Sequence, residues 1–192
     1  MRILSATLLA LATCAAVVAA DDFKPEAGFK LLFNGKNLDG WQTKAAGKDG
    51  KSMPLEGKAE AFDKRFVVTD GELVIDPKVK GDRYIESVQQ FSGDFVIKFD
   101  FKPGDGCNND VLLLGTKFDI KLGKDEKGTT KGVKAGEWNK LEIAVKGGSA
   151  DYSINGEKSA TLKVGKDAKG PLVLRAEFGA IAIKNLRASE TK

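Results

Sequence analysis

Asp119 and Lys121 stand two residues apart in a segment that alternates apolar and polar residues, and so do Arg175 and Glu177. In an extended strand that spacing puts both members of a pair on one face. If the two strands are neighbours in a sheet, two acids and two bases converge on one surface, able to hold hydroxyl groups or to polarise a carbonyl. The plainer alternative is a solvated sheet face whose cross-strand ion pairs carry little energy. Asn108, Asn109 and Asp110 offer oxygens suited to hydroxyls or to a hard cation, although Gly-Asp-Gly-Cys-Asn-Asn also reads as an ordinary loop, and no metal site is assigned to it. Trp41 and Trp138 carry flat faces of the kind that stack on the C–H groups of a pyranose, and Trp41 is kept as a candidate contact. Each also sits beside a turn, where core or hairpin packing would use it. Cys107 has no histidine or second cysteine to lower its pKa or share a metal, and reads as an inert thiol.

The composition narrows the chemistry further. Histidine is absent from all 192 residues. No Ser-His-Asp or Cys-His nucleophile system can be built, no His-ligated zinc, and no imidazole base. Proton transfer falls to Asp, Glu, Lys, Tyr or a coordinated ion. Lys plus Arg numbers 31 against 27 Asp plus Glu, a net charge of +4 without basic blocks. That pattern lacks the footprint of a nucleic-acid binder, so no such partner is expected, and no cofactor is implied. A 42% hydrophobic share with 30% charged residues is that of a folded globular chain.

The elements that would position these residues are almost entirely strands. Residues 1–20 open with one Arg, continue apolar and end Ala-Ala before Asp21, the pattern of a secretory signal peptide cut after Ala20. A membrane anchor would need a longer run, and lipidation at Cys14 a smaller residue than Thr13 before it. The expected product is one exported or periplasmic domain, 21–192, with no membrane span. Period-two patterns at 30–33, 66–69, 72–75, 84–87, 94–101, 110–114, 118–122, 139–145, 150–154, 159–164, 172–176 and 180–186 predict twelve strands. Turn signals such as Asp70-Gly71, Gly147-Gly148 and Asn155-Gly156 separate them. No segment sustains a 3.6-residue repeat. The fold class is therefore all-β, an antiparallel sandwich with jelly-roll connections, burying Phe95, Ile97, Phe99, Leu141, Ile143 and Val145. Residues 43–62 and 123–136 are expected as rim loops, the first long enough to suggest a flap.

Several segments in order resemble the family of secreted 3-keto-disaccharide hydrolase domains. Gly28-Phe29-Lys30-Leu31-Leu32-Phe33-Asn34-Gly35 leading to Asp39-Gly40-Trp41 is similar to the family's opening. Phe66-Val67-Val68-Thr69-Asp70-Gly71-Glu72-Leu73 and Gly93-Asp94-Phe95-Val96-Ile97-Lys98-Phe99 match its second and third elements. Gly136-Glu137-Trp138-Asn139 and Gly170-Pro171-Leu172-Val173-Leu174 continue the likeness, which spans most of 28–188. The chain departs from the pattern where family members read Asn-Ser-Gly, here Asn108-Asn109-Asp110, and aromatic-Glu-x-Gln, here Phe118-Asp119-Ile120-Lys121. It also has Arg175 in place of a Gln.

What the resemblance implies is a concanavalin A-like sandwich meeting a carbohydrate. The implied activity is hydrolysis of 3-keto glycosides. A ketone at C3 acidifies the C2 hydrogen, so a carboxylate, Asp119 or Glu177, can remove it while Arg175 or Lys121 faces the developing enolate oxygen. Asn108, Asn109, Asp110 and Trp41 would contact the sugar. The alternative is a carbohydrate-binding module on the same scaffold, without chemistry, which the departures at Asp119, Lys121 and Arg175 favour.

Overall fold

Wherever the sequence alternates, the backbone is strand. The structure, a computed structural model, describes residues 23–45 and 50–190. The leader expected at 1–20, with Cys14, lies outside the described residues. Strand β7 (Phe95–Pro103) buries Phe95, Ile97, Phe99 and Phe101 and turns Lys98, Asp100 and Lys102 the other way. Its neighbour β10 (Asn139–Lys146) does the same with Leu141, Ile143 and Val145.

Two antiparallel sheets enclose the core. The larger is ordered β12 (Glu157–Lys163), β11 (Ser149–Ile154), β10, β7, β14 (Ile181–Glu190), β5 (Glu72–Ile75), β4 (Phe66–Thr69) and β3 (Glu60–Ala61), with β1 (Lys30–Leu31) also paired to β14. The smaller is ordered β2 (Trp41–Thr43), β6 (Arg83–Ser92), β13 (Lys169–Phe178), β8 (Asn108–Leu113) and β9 (Thr116–Lys121). Non-consecutive neighbours, such as β6 beside β13 and β7 beside β14, make this a sandwich with long crossovers between sheets. Among the described residues one short 3₁₀ turn, Glu126–Gly128, is the helical content.

Inner faces from both sheets interdigitate. Phe118 of β9 stacks on Tyr152 of β11 with ring centroids 4.3 Å apart, and Phe91 meets Phe95 at 5.0 Å. Each such side chain contributes about 1.5–3 kcal/mol of burial free energy. Asn155 and Gly156 form the two-residue hairpin the sequence signals, with φ of 53° and 84°.

All twelve predicted strands are present, with shifted ends, and two more are added. Residues 43–62 are not a free flap over their described length. The Thr43 N–H donates to the Met53 carbonyl (2.9 Å) and the Leu55 N–H to the Trp41 carbonyl (3.0 Å), so 53–55 returns along β2 and buries Leu55. Backbone hydrogen bonds decide this element, and the segment carries no apolar alternation to reveal it.

Candidate functional site

The outer face of the five-stranded sheet gathers the charged residues. Core-facing Ile85, Leu174, Val111, Phe118 and Ile120 alternate with outward Tyr84, Arg175, Asp110, Asp119 and Lys121. Register places Tyr84, Arg175, Asp110 and Asp119 in one row across β6, β13, β8 and β9. The adjacent row carries Phe178, Asn108 and Lys121. Strand β8 thus lies between the two strands whose i, i+2 pairs suggested a site.

Arg175 is the hub of the first row. Its Nη1 donates to Asp110 Oδ2 at 2.7 Å, while Nη2 reaches Asp82 and, at 3.1 Å, Glu177. Its guanidinium also lies over the Tyr84 ring, 5.6 Å from the centroid. Burial alone would lower its pKa, but the hydrogen bonds to Asp82 and Asp110 outweigh that and keep it charged. On the far side, Lys117 Nζ pairs with Asp119 and sits 3.8 Å from Asp110 Oδ1. Hydrogen bonding to Asp119 raises the Lys117 pKa.

Asp110 and Asp119 face each other directly, and their environments differ. The Asp110 side chain is fully buried, its Oδ1 without a hydrogen bond among the described residues. Burial first, then the facing Asp119 carboxyl, pushes its pKa up to about 6, against the pull of Arg175. Asp119 keeps nearly half of its side chain exposed. Its partial burial works upward, but hydrogen bonds from Asp110 and Lys117 take its pKa below the ordinary value. The arrangement is a carboxylate pair with one member sealed and one offered to solvent, clamped between two cations.

Of the residues singled out from sequence, Asp119, Lys121, Arg175 and Glu177 share this face with Asn108 and Asp110. Two others do not. Asn109 points into the core, where its Nδ2 donates to the Phe178 carbonyl (2.9 Å) and its Oδ1 accepts from the Glu177 N–H (2.9 Å). It fixes backbone rather than ligand. Trp41 is completely buried, with Nε1 donating to the Leu32 carbonyl (2.8 Å), so its ring has no face for a sugar. Trp138 is half-buried beneath Lys184 and Lys102. The Asn that follows it, Asn139, ties Lys134, Glu137 and Asn155 together, which explains the Gly-Glu-Trp-Asn block as a structural clamp. Cys107 is a buried free thiol with its pKa raised by burial. Lys117, Tyr84 and Asp82 join the site unannounced. Lys117 carried a signal, since it continues the i, i+2 series through Asp119 to Lys121.

A two-sheet antiparallel sandwich with a polar cluster on one outer face belongs to the fold class of glycanases and carbohydrate-binding modules, and solved structures bear this out. A candidate glycosyl hydrolase from Parabacteroides distasonis superposes with a TM-score of 0.64 at 22% identity, covering 90% of this chain and 100% of its own. The β-glucanase of Bacillus licheniformis gives 0.52 at 15% identity, over 88% and 100% of the two chains. A carbohydrate-binding module from Bacillus subtilis gives 0.50 at 12% identity, over 79% and 96%. These show the fold. The chain itself belongs to the 3-keto-alpha-glucoside-1,2-lyase-like domain family, whose pattern matches residues 28–133. A comparison with curated protein sequences finds no match. The matched region holds Asn108, Asp110, Lys117, Asp119 and Lys121, and Arg175 and Glu177 lie beyond it.

Proposed function

We propose that the protein opens the C1–O bond of 3-keto glycosides by elimination, with Asp119 as the base. The observation that carries this is the facing Asp110–Asp119 pair on an exposed sheet face. Asp119 is the exposed member of the pair, and against its partial burial hydrogen bonds from Asp110 and Lys117 hold its pKa below the ordinary value, so it stands ionised and open to substrate as a proton acceptor. Asp119 takes the C2 hydrogen as a proton, and the C–H electron pair moves onto the C3 oxygen as an enolate. The enolate then collapses, restoring the ketone and forming C1=C2 while the C1–O bond breaks and the leaving oxygen takes up a proton. Water added across C1=C2 completes hydrolysis to the free 3-keto sugar. Lys121, whose ammonium has no ion-pair partner among the described residues, faces the enolate oxygen. Arg175 has both terminal nitrogens committed to carboxylates and orients them. The leader read at 1–20 makes this an exported protein, and an N-terminus at Asp21 on the exported form checks it.

The test is release of the leaving alcohol from a 3-keto-disaccharide while the ordinary disaccharide stays intact. Asp119→Asn should lower turnover by roughly 10²–10⁴-fold with the melting temperature unchanged. Full activity in that variant would remove Asp119 as the base. One observation favours a second reading, a binding module without chemistry: Asp82, Asp110, Asp119 and Glu177 are each already engaged by Arg175 or Lys117. That reading expects saturable sugar binding and no release.

A further inference from the structure

Phe178 should be a core residue by alternation, since Leu172, Leu174 and Ala176 on the same strand all point inward. Instead the residue is 61% exposed. The cause is a β-bulge. β13 pairs Arg175 with Asp110 and then Phe178 with Asn108, three residues against two, so an extra residue returns Phe178 to the outer face. Directly opposed residues share a face, so Phe178 stands in line with Asn108 and Lys121.

The bulge is held by more than the ladder. Buried Asn109 bonds the Glu177 N–H and the Phe178 carbonyl. Arg65, itself 1% exposed, donates Nη2 to the Glu177 carbonyl at 2.8 Å. Gly179 follows at φ 68°, where a Cβ would come within 2.5 Å of the Gly106 and Cys107 backbone. Two buried polar side chains and a glycine turn therefore keep a large apolar ring in water, where burial would otherwise favour hiding it.

We propose that Phe178 is a stacking platform for a pyranose ring, the leaving-group sugar of the glycoside, with Asn108 meeting its hydroxyls. Two residues along a strand span roughly 6.6 Å, about one sugar ring, so a reacting ring over the Asp119 row places the next ring over the Phe178 row. The aromatic face covers the ring's C–H surface while the flanking Asn108 amide hydrogen-bonds at its edge. The proposal rests on the carbohydrate reading above.

The experiment compares a 3-keto-disaccharide with the methyl 3-keto-glucoside, which lacks the leaving sugar, in the parent, Phe178→Ala and Phe178→Trp proteins. Phe178→Ala should lower kcat/KM for the disaccharide about tenfold. It should leave the methyl glycoside and the melting temperature unchanged, and Phe178→Trp should retain disaccharide activity. If the parent binds without cleaving, the same contrast is read in the dissociation constants of the two compounds. A working parent whose Phe178→Ala variant treats both compounds as the parent does overturns the platform and leaves the proposed function standing. A parent that neither cleaves nor binds either compound overturns both.

Discussion

Replacing Asp110 by Asn tests the electrostatics of the carboxylate pair without relying on any substrate. The amide keeps the shape and the Arg175 contact, and removes the titration. With a native pKa of about 6 against an ordinary 3.8, the ionised form is disfavoured in the folded protein. The sign follows: the favourable contribution of Asp110 belongs to its protonated form, is present in acid, and is lost as pH rises through about 6. About two pKa units set a ceiling of about 3 kcal/mol, because the titration is shared with Asp119. The stability of Asp110→Asn relative to the parent should therefore rise between pH 4 and pH 8 by up to about 3 kcal/mol, read from urea unfolding of both proteins at each pH. A difference that stays flat across that range, or that runs the other way, would refute the view that Asp110 is a strained, buried carboxylate.

Phe99→Ala should destabilise the domain by about 3–5 kcal/mol, because Phe99 is buried between the sheets and leaves a cavity that β7 and β10 cannot close; an unchanged urea midpoint would contradict the packing. Glu26, held at a pKa of about 2 chiefly by hydrogen bonds from Arg187, contributes stability above its ordinary 4.5 that is lost as pH falls toward 2. Glu26→Gln should thus be less stable than the parent at neutral pH and indistinguishable from it near pH 2, by thermal unfolding at both. Activity on a 3-keto-disaccharide should survive as pH drops through about 6, where buried Asp110 takes up a proton, and fall only in stronger acid, where Asp119 does, as a pH–rate profile would show.

Sheet residues whose alternation is regular are legible in the sequence. Phe95 to Phe101 and Leu141 to Val145 bury as their period requires, and Asp119 shares a face with Lys121 for the same reason. What alternation does not carry is which strands are neighbours. That β8 lies between β9 and β13, making Asp110 the bridge from Arg175 to Asp119, is decided by long crossovers rather than by local pattern. Trp41 and Phe178 fail in opposite directions. An aromatic beside a Gly turn looks available and is sealed beneath the opening loop, whereas one in core phase looks buried and is turned out by a bulge. The sealing leaves no mark in residue type, and the bulge leaves only Gly179, which an ordinary turn would use as well.

Arg65 links the two layers, since it lies beside β4 at the margin of the larger sheet and its hydrogen bond ends on the Glu177 carbonyl of the smaller one. The distance between layers is therefore written into the placement of one site carboxylate and, one residue on, of the exposed ring. A core substitution that widens the gap would reach the ligand face through a single guanidinium, with no surface residue altered. On the function proposed above, sugar preference would then depend on interior volume as well as on the residues that touch the sugar.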